Sequence, residues 1–366
     1  MESTTTTLPA YAKFSLISVG IVAFTYILYV GQGIIIPLIF ATILSILLNP
    51  LVNFLTRKGV NRVLSIFLAL LIALMLASAL FYFLGSQASL FSESFPMIKK
   101  KLAMLVKEGT QWYSTNFNTS PKKINAWLAK LQSEGLSNSN VLIGQTLDTL
   151  SGLLVVIFLL PVYIFMILFY KPLLLDFIGQ LFSRNQHSTV VEVLAETKSL
   201  IQNYLIGLLI EASIVAALNS IALFALGIEY AILIGVLGAL LNMIPYVGGL
   251  VAIALPLIIA LATKPPIYLA LVIGAYILVQ FIDNNVIVPR IVASKVKINA
   301  LTSIVVVLVG GLLWGVPGMF LSLPLTAIIK VIFDRTNDLK PFGFLLGDNM
   351  PSIVSILKVK KAKSGK

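Results

Sequence analysis

The sequence predicts an all-α, polytopic helical membrane protein with about six full spans, two broken or re-entrant helical hairpins and several amphipathic helices. Three observations carry that expectation. Of 366 residues, 58% are hydrophobic and 11% charged, with a mean hydropathy of +1.00, whereas soluble domains average about 25% charged. Apolar runs near the roughly 20 residues that a membrane span requires recur along the chain. Two further tracts, 230 to 262 and 298 to 333, hold 33 and 36 residues. As straight helices they would reach roughly 50 Å, against a hydrocarbon core of about 30 Å. Each carries Gly and Pro near its middle, so each reads as two shorter helices joined at a turn.

In order, residues 1 to 13 are Thr-rich, and Lys13 precedes an apolar run from Phe14 to Val30. No small-residue cleavage site follows, so this is an uncleaved first span rather than a removed signal. Gly31-Gln32-Gly33 turns the chain into a second span, Ile34 to Leu55. Arg57, Lys58 and Arg62 then crowd a short loop without an acid, the strongest cytoplasmic marker in the chain. The N-terminus is therefore expected inside, and the third span, Val63 to Leu84, leads outward. These spans form the first unit, residues 1 to 85.

Residues 86 to 148 are the one sizeable polar segment. Apolar residues at helical spacing (Ile124, Trp127, Leu128, Leu131) predict amphipathic helices outside the bilayer core, as a cap, an oligomer contact or a ligand-binding element. The unit 149 to 206 combines a fourth span, Leu150 to Tyr170, with a cytoplasmic amphipathic helix. His187, the only histidine, lies in its polar SRNQH turn and reads as solvated. A basic tail, 336 to 366, ends the chain inside.

Residues 207 to 335 read as a transport core. The fifth span, Leu205 to Leu226, places Glu211, Val215 and Asn219 on one face by i, i+4, i+8 spacing. Glu211 either couples an ion or merely reaches the interface. A first hairpin leaves from and returns to the outside between Glu229 and Lys264. Span seven, Ile267 to Val288, runs inward, and a second hairpin rises from the cytoplasmic side. GALLNMIP (238 to 245) lies over GGLLWGVP (310 to 317) at a constant offset of 72, as an internal repeat would. Transporters often pair broken elements in matching positions of two repeats with the substrate between them.

The basic excess, 26 Lys and Arg against 14 Asp and Glu, gathers beside apolar spans. There it sets orientation and touches anionic lipid headgroups, so the lipid bilayer and not nucleic acid is the expected partner. The absence of cysteine excludes disulfides, thiolate metal sites and cysteine catalysis. With no His-Glu-x-x-His and no nucleotide-binding loop, no enzyme activity, metal or cofactor is expected.

The candidate pathway residues are Asn242, Pro245, Tyr246, Gly248 and Gly249 in the first hairpin, Gln280, Asp283 and Asn284 in span seven, and Gly311, Gly315, Pro317 and Gly318 in the second hairpin. A carboxylate inside a span is a functional hypothesis by default. Buried without a partner, Asp283 would favour its neutral form and carry a proton, or would ligate a small cation with Asn284 and hairpin carbonyls. Alternatively it pairs locally with Arg290 or Lys295. Asn242 and Tyr246 suit an uncharged polar solute, or simply belong to a tight Pro-x-x-Gly-Gly turn. The glycines of the second hairpin permit close helix approach.

At NMIPYVGG (242 to 249), QFIDNNVIVPRIVASKV (280 to 296) and GGLLWGVPGMFLSLPL (310 to 325) the chain closely resembles the autoinducer-2 exporter family of bacterial permeases. The resemblance follows the span order over nearly the whole chain. It implies a multi-pass inner-membrane transporter that forms homo-oligomers, with members linked to export of the quorum-sensing signal autoinducer-2 and others to sodium/proton antiport. Where many members carry Glu in the span-seven motif, this chain has Asp283. The expected cargo is thus a small polar solute such as autoinducer-2, or a monovalent cation in an antiporter using Asp283 and Glu211.

Overall fold

The structure, a computed structural model, describes residues 9–117, 158–244, 248–291 and 298–348. Among them every regular element is helical and no strand occurs, as expected of a backbone that must satisfy its own hydrogen bonds in lipid.

Helices α1 (Ala10–Val30) and α2 (Gln32–Arg57) meet at Gly31 and correspond to the first two spans. Helix α3 runs without interruption from Arg62 to Phe117, about 84 Å at 1.5 Å per residue. The boundary expected at residue 85 therefore falls inside a continuous helix. Ser86, Thr110 and Thr115 each return a hydroxyl bond to a carbonyl three or four residues back. Polar side chains thus follow the apolar stretch without breaking the helix. The rest of the amphipathic segment, including Trp127, lies outside the described residues.

Helix α4 (Phe158–Phe169) bends by 63° into α5 (Lys171–Gln180). Helix α6 (His187–Ala225) fuses the expected cytoplasmic helix and the fifth span into one rod of 39 residues, about 58 Å long. His187 stands at its start, beside the Phe182 carbonyl at 3.2 Å.

The first hairpin consists of α7 (Ala231–Asn242), α8 (Gly248–Ala252) and α9 (Ala254–Thr263). Its limbs run antiparallel. A Cβ on Gly248 would lie 1.8 Å from the Leu241 carbonyl oxygen, and one on Gly238 would lie 3.6 Å from the Ala252 Cβ. Span seven is α10 (Ile267–Ile282), a π-helical turn Asp283–Ile287, and α11 (Val288–Ile291).

Helix α12 (Ala300–Arg335) is long enough to cross a membrane, yet it reverses. Residues eight apart in a straight helix are separated by about 12 Å, whereas a Cβ on Gly318 would sit 1.9 Å from the Gly310 carbonyl oxygen. The turn falls at Gly315, with φ 62° and ψ −142°, a conformation that favours residues lacking a Cβ. The turn at Gly315 lies inside GGLLWGVP, and α7 ends inside its matched octet GALLNMIP.

The bases of the two hairpins sit at opposite ends of α6. Arg335, where the second hairpin ends, pairs with Glu192 and Glu196 in the first turns of α6 at 2.5 and 2.9 Å. Asn299 seals that base: it caps α12 at Thr302 and donates to the Leu345 and Gly347 carbonyls around α13 (Lys340–Leu346). The first hairpin begins beyond the other end of α6, where Tyr230 stacks edge-on with Phe91 of α3 and donates to the Leu90 carbonyl. The tips approach one another, since Met243 packs on the cluster containing Trp314, Leu321, Tyr204 and Leu208.

Candidate functional site

The site forms where the face of α6, the first hairpin and α10 converge. Glu211, Val215 and Asn219 all point inward and are 7%, 3% and 3% exposed, so the i, i+4, i+8 face is the buried one. Glu211 is turned into the bundle. It lies past the middle of α6, within coulombic reach of Asp283.

Close backbone packing brings these groups together. A Cβ on Gly235 of α7 would meet the Ser220 Oγ of α6 at 2.2 Å, and one on Gly238 would meet the Tyr276 hydroxyl at 3.0 Å and Asn219 Nδ2 at 3.5 Å. Small residues at such crossings let polar side chains of neighbouring membrane helices touch.

Asp283 is 1% exposed. Its Oδ2 accepts from Asn242 Nδ2 at 2.9 Å, and its Oδ1 has no partner among the described residues. The local pairing with Arg290 does not form, for Asp283 points into the bundle while Arg290 is exposed. Lys295 lies outside the described residues. Asp283 continues the inward face of α10, its N–H still bonded to the Val279 and Gln280 carbonyls, and the π turn Asp283–Ile287 widens the helix from that point on. Asn284, one step further round, is exposed and bonded to Gln280 at 3.4 Å. The face expected for Gln280, Asp283 and Asn284 is therefore split. π turns recur at functional positions because they re-aim side chains within a helix.

A cavity of about 10 Å³, room for about one water, lies between Asn219, Asn242, Tyr276, Gln280 and the backbone of Gly249 and Ala252. Asp283 is not in its wall but stands behind Asn242. Because Nδ2 of Asn242 is committed to the carboxylate, its Oδ1 faces the other way. A Cβ added to Gly249 would lie 3.3 Å from that oxygen and 3.0 Å from Gln280 Oε1. Asn219 Oδ1 is also buried without a partner. Tyr276 donates to the Ala252 carbonyl at 3.3 Å, joining α10 to the returning limb of the hairpin. Set among the apolar Val215, Gly238 and Val279, the wall thus presents several neutral acceptor oxygens. An unsatisfied buried acceptor costs about 1–3 kcal/mol, so the cavity favours a guest that donates hydrogen bonds or carries positive charge.

Of the residues singled out from sequence, Asn242, Gly249 and Gln280 line the cavity, Asp283 and Gly248 support it, and Asn284 lies outside it. Pro245 and Tyr246 lie outside the described residues. Gly311, Gly315, Pro317 and Gly318 shape the second hairpin and are not part of the cavity wall. Their neighbour Trp314 faces α1, donating from Nε1 to the Leu28 carbonyl at 3.0 Å. Tyr276 escaped the sequence reading, although Tyr276, Gln280 and Asp283 fall at i, i+4, i+7 on α10. Among the described residues no three of His, Cys, Asp and Glu gather as a metal site would require.

Residues 19–338 match the family described as AI-2E family transporter. The chain is 26% identical to the AI-2 transport protein TqsA of Escherichia coli (strain K12) over 317 residues, covering 86% of this chain and 90% of that one. Two similar proteins bear the name "Putative transport protein". They are YhhT of Escherichia coli (strain K12), 25% identical over 329 residues with 88% and 91% covered, and YrrI of Bacillus subtilis (strain 168), 32% identical over 130 residues with 36% of each chain covered. A match over that much of the chain, on a helical bundle with two hairpins, makes the protein a multi-pass membrane member of the AI-2E transporter family.

Proposed function

We propose that the protein is a secondary transporter of the bacterial inner membrane that exports a small, polar, uncharged solute such as autoinducer-2, with both termini in the cytoplasm. The observation that carries this reading is the set of neutral amide and hydroxyl oxygens that Asn219, Asn242, Gln280 and Tyr276 bring to the cavity. A solute bearing several hydroxyl groups offers the donors that such oxygens lack. The likeness to TqsA supports the choice of solute. Since the cavity holds about one water, passage requires the first hairpin to swing away from α6 and α10, and the homo-oligomer expected of the family would hold the remaining helices still.

A second reading is a monovalent cation/proton antiporter. It is favoured by one feature, the unpaired Oδ1 of Asp283 within coulombic reach of Glu211. Proteoliposomes loaded with a panel of polyhydroxy solutes, under imposed proton or sodium gradients, separate the two. Gradient-driven solute movement supports export. Cation exchange without any solute movement supports the antiporter and removes the first reading.

A further inference from the structure

A second polar cluster, built around the buried Asn49, lies at the end of the bundle that carries the Arg57, Lys58 and Arg62 loop, remote from the hairpin site. Asn49 of α2, 5% exposed, accepts from Lys171 Nζ at 3.0 Å. That bond fixes the amide orientation, since a lysine ammonium only donates. Asn49 Nδ2 is consequently turned away and is buried without an acceptor. Arg62 uses one guanidinium nitrogen on the Leu168 carbonyl at 2.9 Å, near the last turn of α4, and keeps further donors free. Lys198 of α6 lies within coulombic reach of Lys171.

Three cations from α3, α5 and α6 therefore converge beside an unused amide donor. Among the described residues no carboxylate pairs with any of them. Burial, with the charges of Lys198 and Arg62 adding to it, lowers the Lys171 ammonium below the ordinary lysine range. Such an arrangement is completed by an anion. The surroundings identify its source, because α5 presents exposed apolar side chains next to the cluster. Right after the 63° bend it exposes Leu173, Leu174, Leu175 and Phe177, the pattern of a helix lying among acyl chains and headgroups.

We propose that Asn49, Arg62, Lys171 and Lys198 form a binding site for the phosphate of an anionic phospholipid, with α5 lying beside its acyl chains. Basic pockets between membrane helices recognise headgroups through this combination of charge and hydrogen-bond donors. The lipid would tie the bend between α4 and α5 to α2 and α6, the helices on which the second hairpin rests.

The test uses the full chain purified in detergent, incubated with equal amounts of phosphatidylglycerol and phosphatidylcholine of matched acyl length, and read by native mass spectrometry. The wild type should retain phosphatidylglycerol preferentially. Lys171→Gln and Lys198→Gln should each weaken that preference about fivefold, the effect of one basic group near a lipid phosphate. Lys264→Gln, at the opposite end beside Tyr268, should leave it unchanged. Lys198 is exposed, so its variant decides the matter even if Lys171→Gln folds poorly. No preference in the wild type, or an unaltered preference in Lys198→Gln, overturns the proposal. Displacement of phosphatidylglycerol by an equal concentration of inorganic phosphate would make a soluble anion the occupant and overturn the lipid assignment.

Discussion

Asn242 donates through Nδ2 to Asp283 Oδ2 at 2.9 Å, linking the tip of the first hairpin to the π turn of α10. The bond makes the carboxylate a positioning group for the amide, which presents its other end to the cavity. It also ties hairpin movement to the state of Asp283, since a hairpin that swings away must leave both partners unpaired or rehydrated.

Asp283→Asn keeps the shape and an acceptor for Asn242, so the protein should assemble normally. Gradient-driven flux should nonetheless fall at least about tenfold, the rate equivalent of 1.4 kcal/mol, while passive solute exchange persists. Asp283→Leu instead strands the Asn242 donor and should lower stability by about 1–3 kcal/mol. Flux and thermal unfolding on the same preparations check both. Full gradient coupling in Asp283→Asn would leave the neutral wall as the whole of the pathway.

Asn219→Leu separates function from stability in the opposite sense. Its Oδ1 is already unpaired, so an apolar residue of similar size should leave stability unchanged or raise it by up to about 1 kcal/mol. Solute flux should drop sharply because an acceptor has left the wall. A variant that loses stability and keeps flux would show Asn219 to be purely structural.

Glycines at the reversals should be intolerant, and glycines on open helix faces should not. Gly318→Ala places a methyl 1.9 Å from the Gly310 carbonyl oxygen, a backbone atom that cannot turn aside, and should cost at least about 1–3 kcal/mol as overpacking does. Gly274→Ala meets nothing within 4 Å and should be neutral or stabilising by about 0.5–1 kcal/mol. Detergent unfolding curves compare them directly, and equal behaviour would mean that the second hairpin does not close as described.

The topology is open to single-cysteine labelling, because the chain has no cysteine of its own. Lys58→Cys should react with a membrane-impermeant maleimide only after permeabilisation, whereas Lys264→Cys, at the base of the first hairpin, should react in intact cells. Labelling of both from one side would remove the opposed arrangement of the hairpin bases.

From sequence alone the class, the order of spans and the two hairpins were legible, because lipid imposes rules that act residue by residue. Apolar length marks a span, and a tract too long for the bilayer that holds Gly and Pro must break. The i, i+4, i+8 spacing likewise marked Glu211, Val215 and Asn219 as one face. Helix continuity was less legible: neither the passage of α3 beyond residue 85 nor the fusion of α6 shows in hydropathy, which reports where a helix leaves lipid and not where it ends. The partner of Asp283 was decided only by tertiary structure. Helical spacing sets Asp283 on the face of Tyr276 and Gln280, but no spacing rule names a partner on another helix. The pairing with Asn242 then spans 41 positions in the chain and depends on α6 and α7 approaching through Gly235 and Gly238, a contact between backbones that side-chain patterns do not encode.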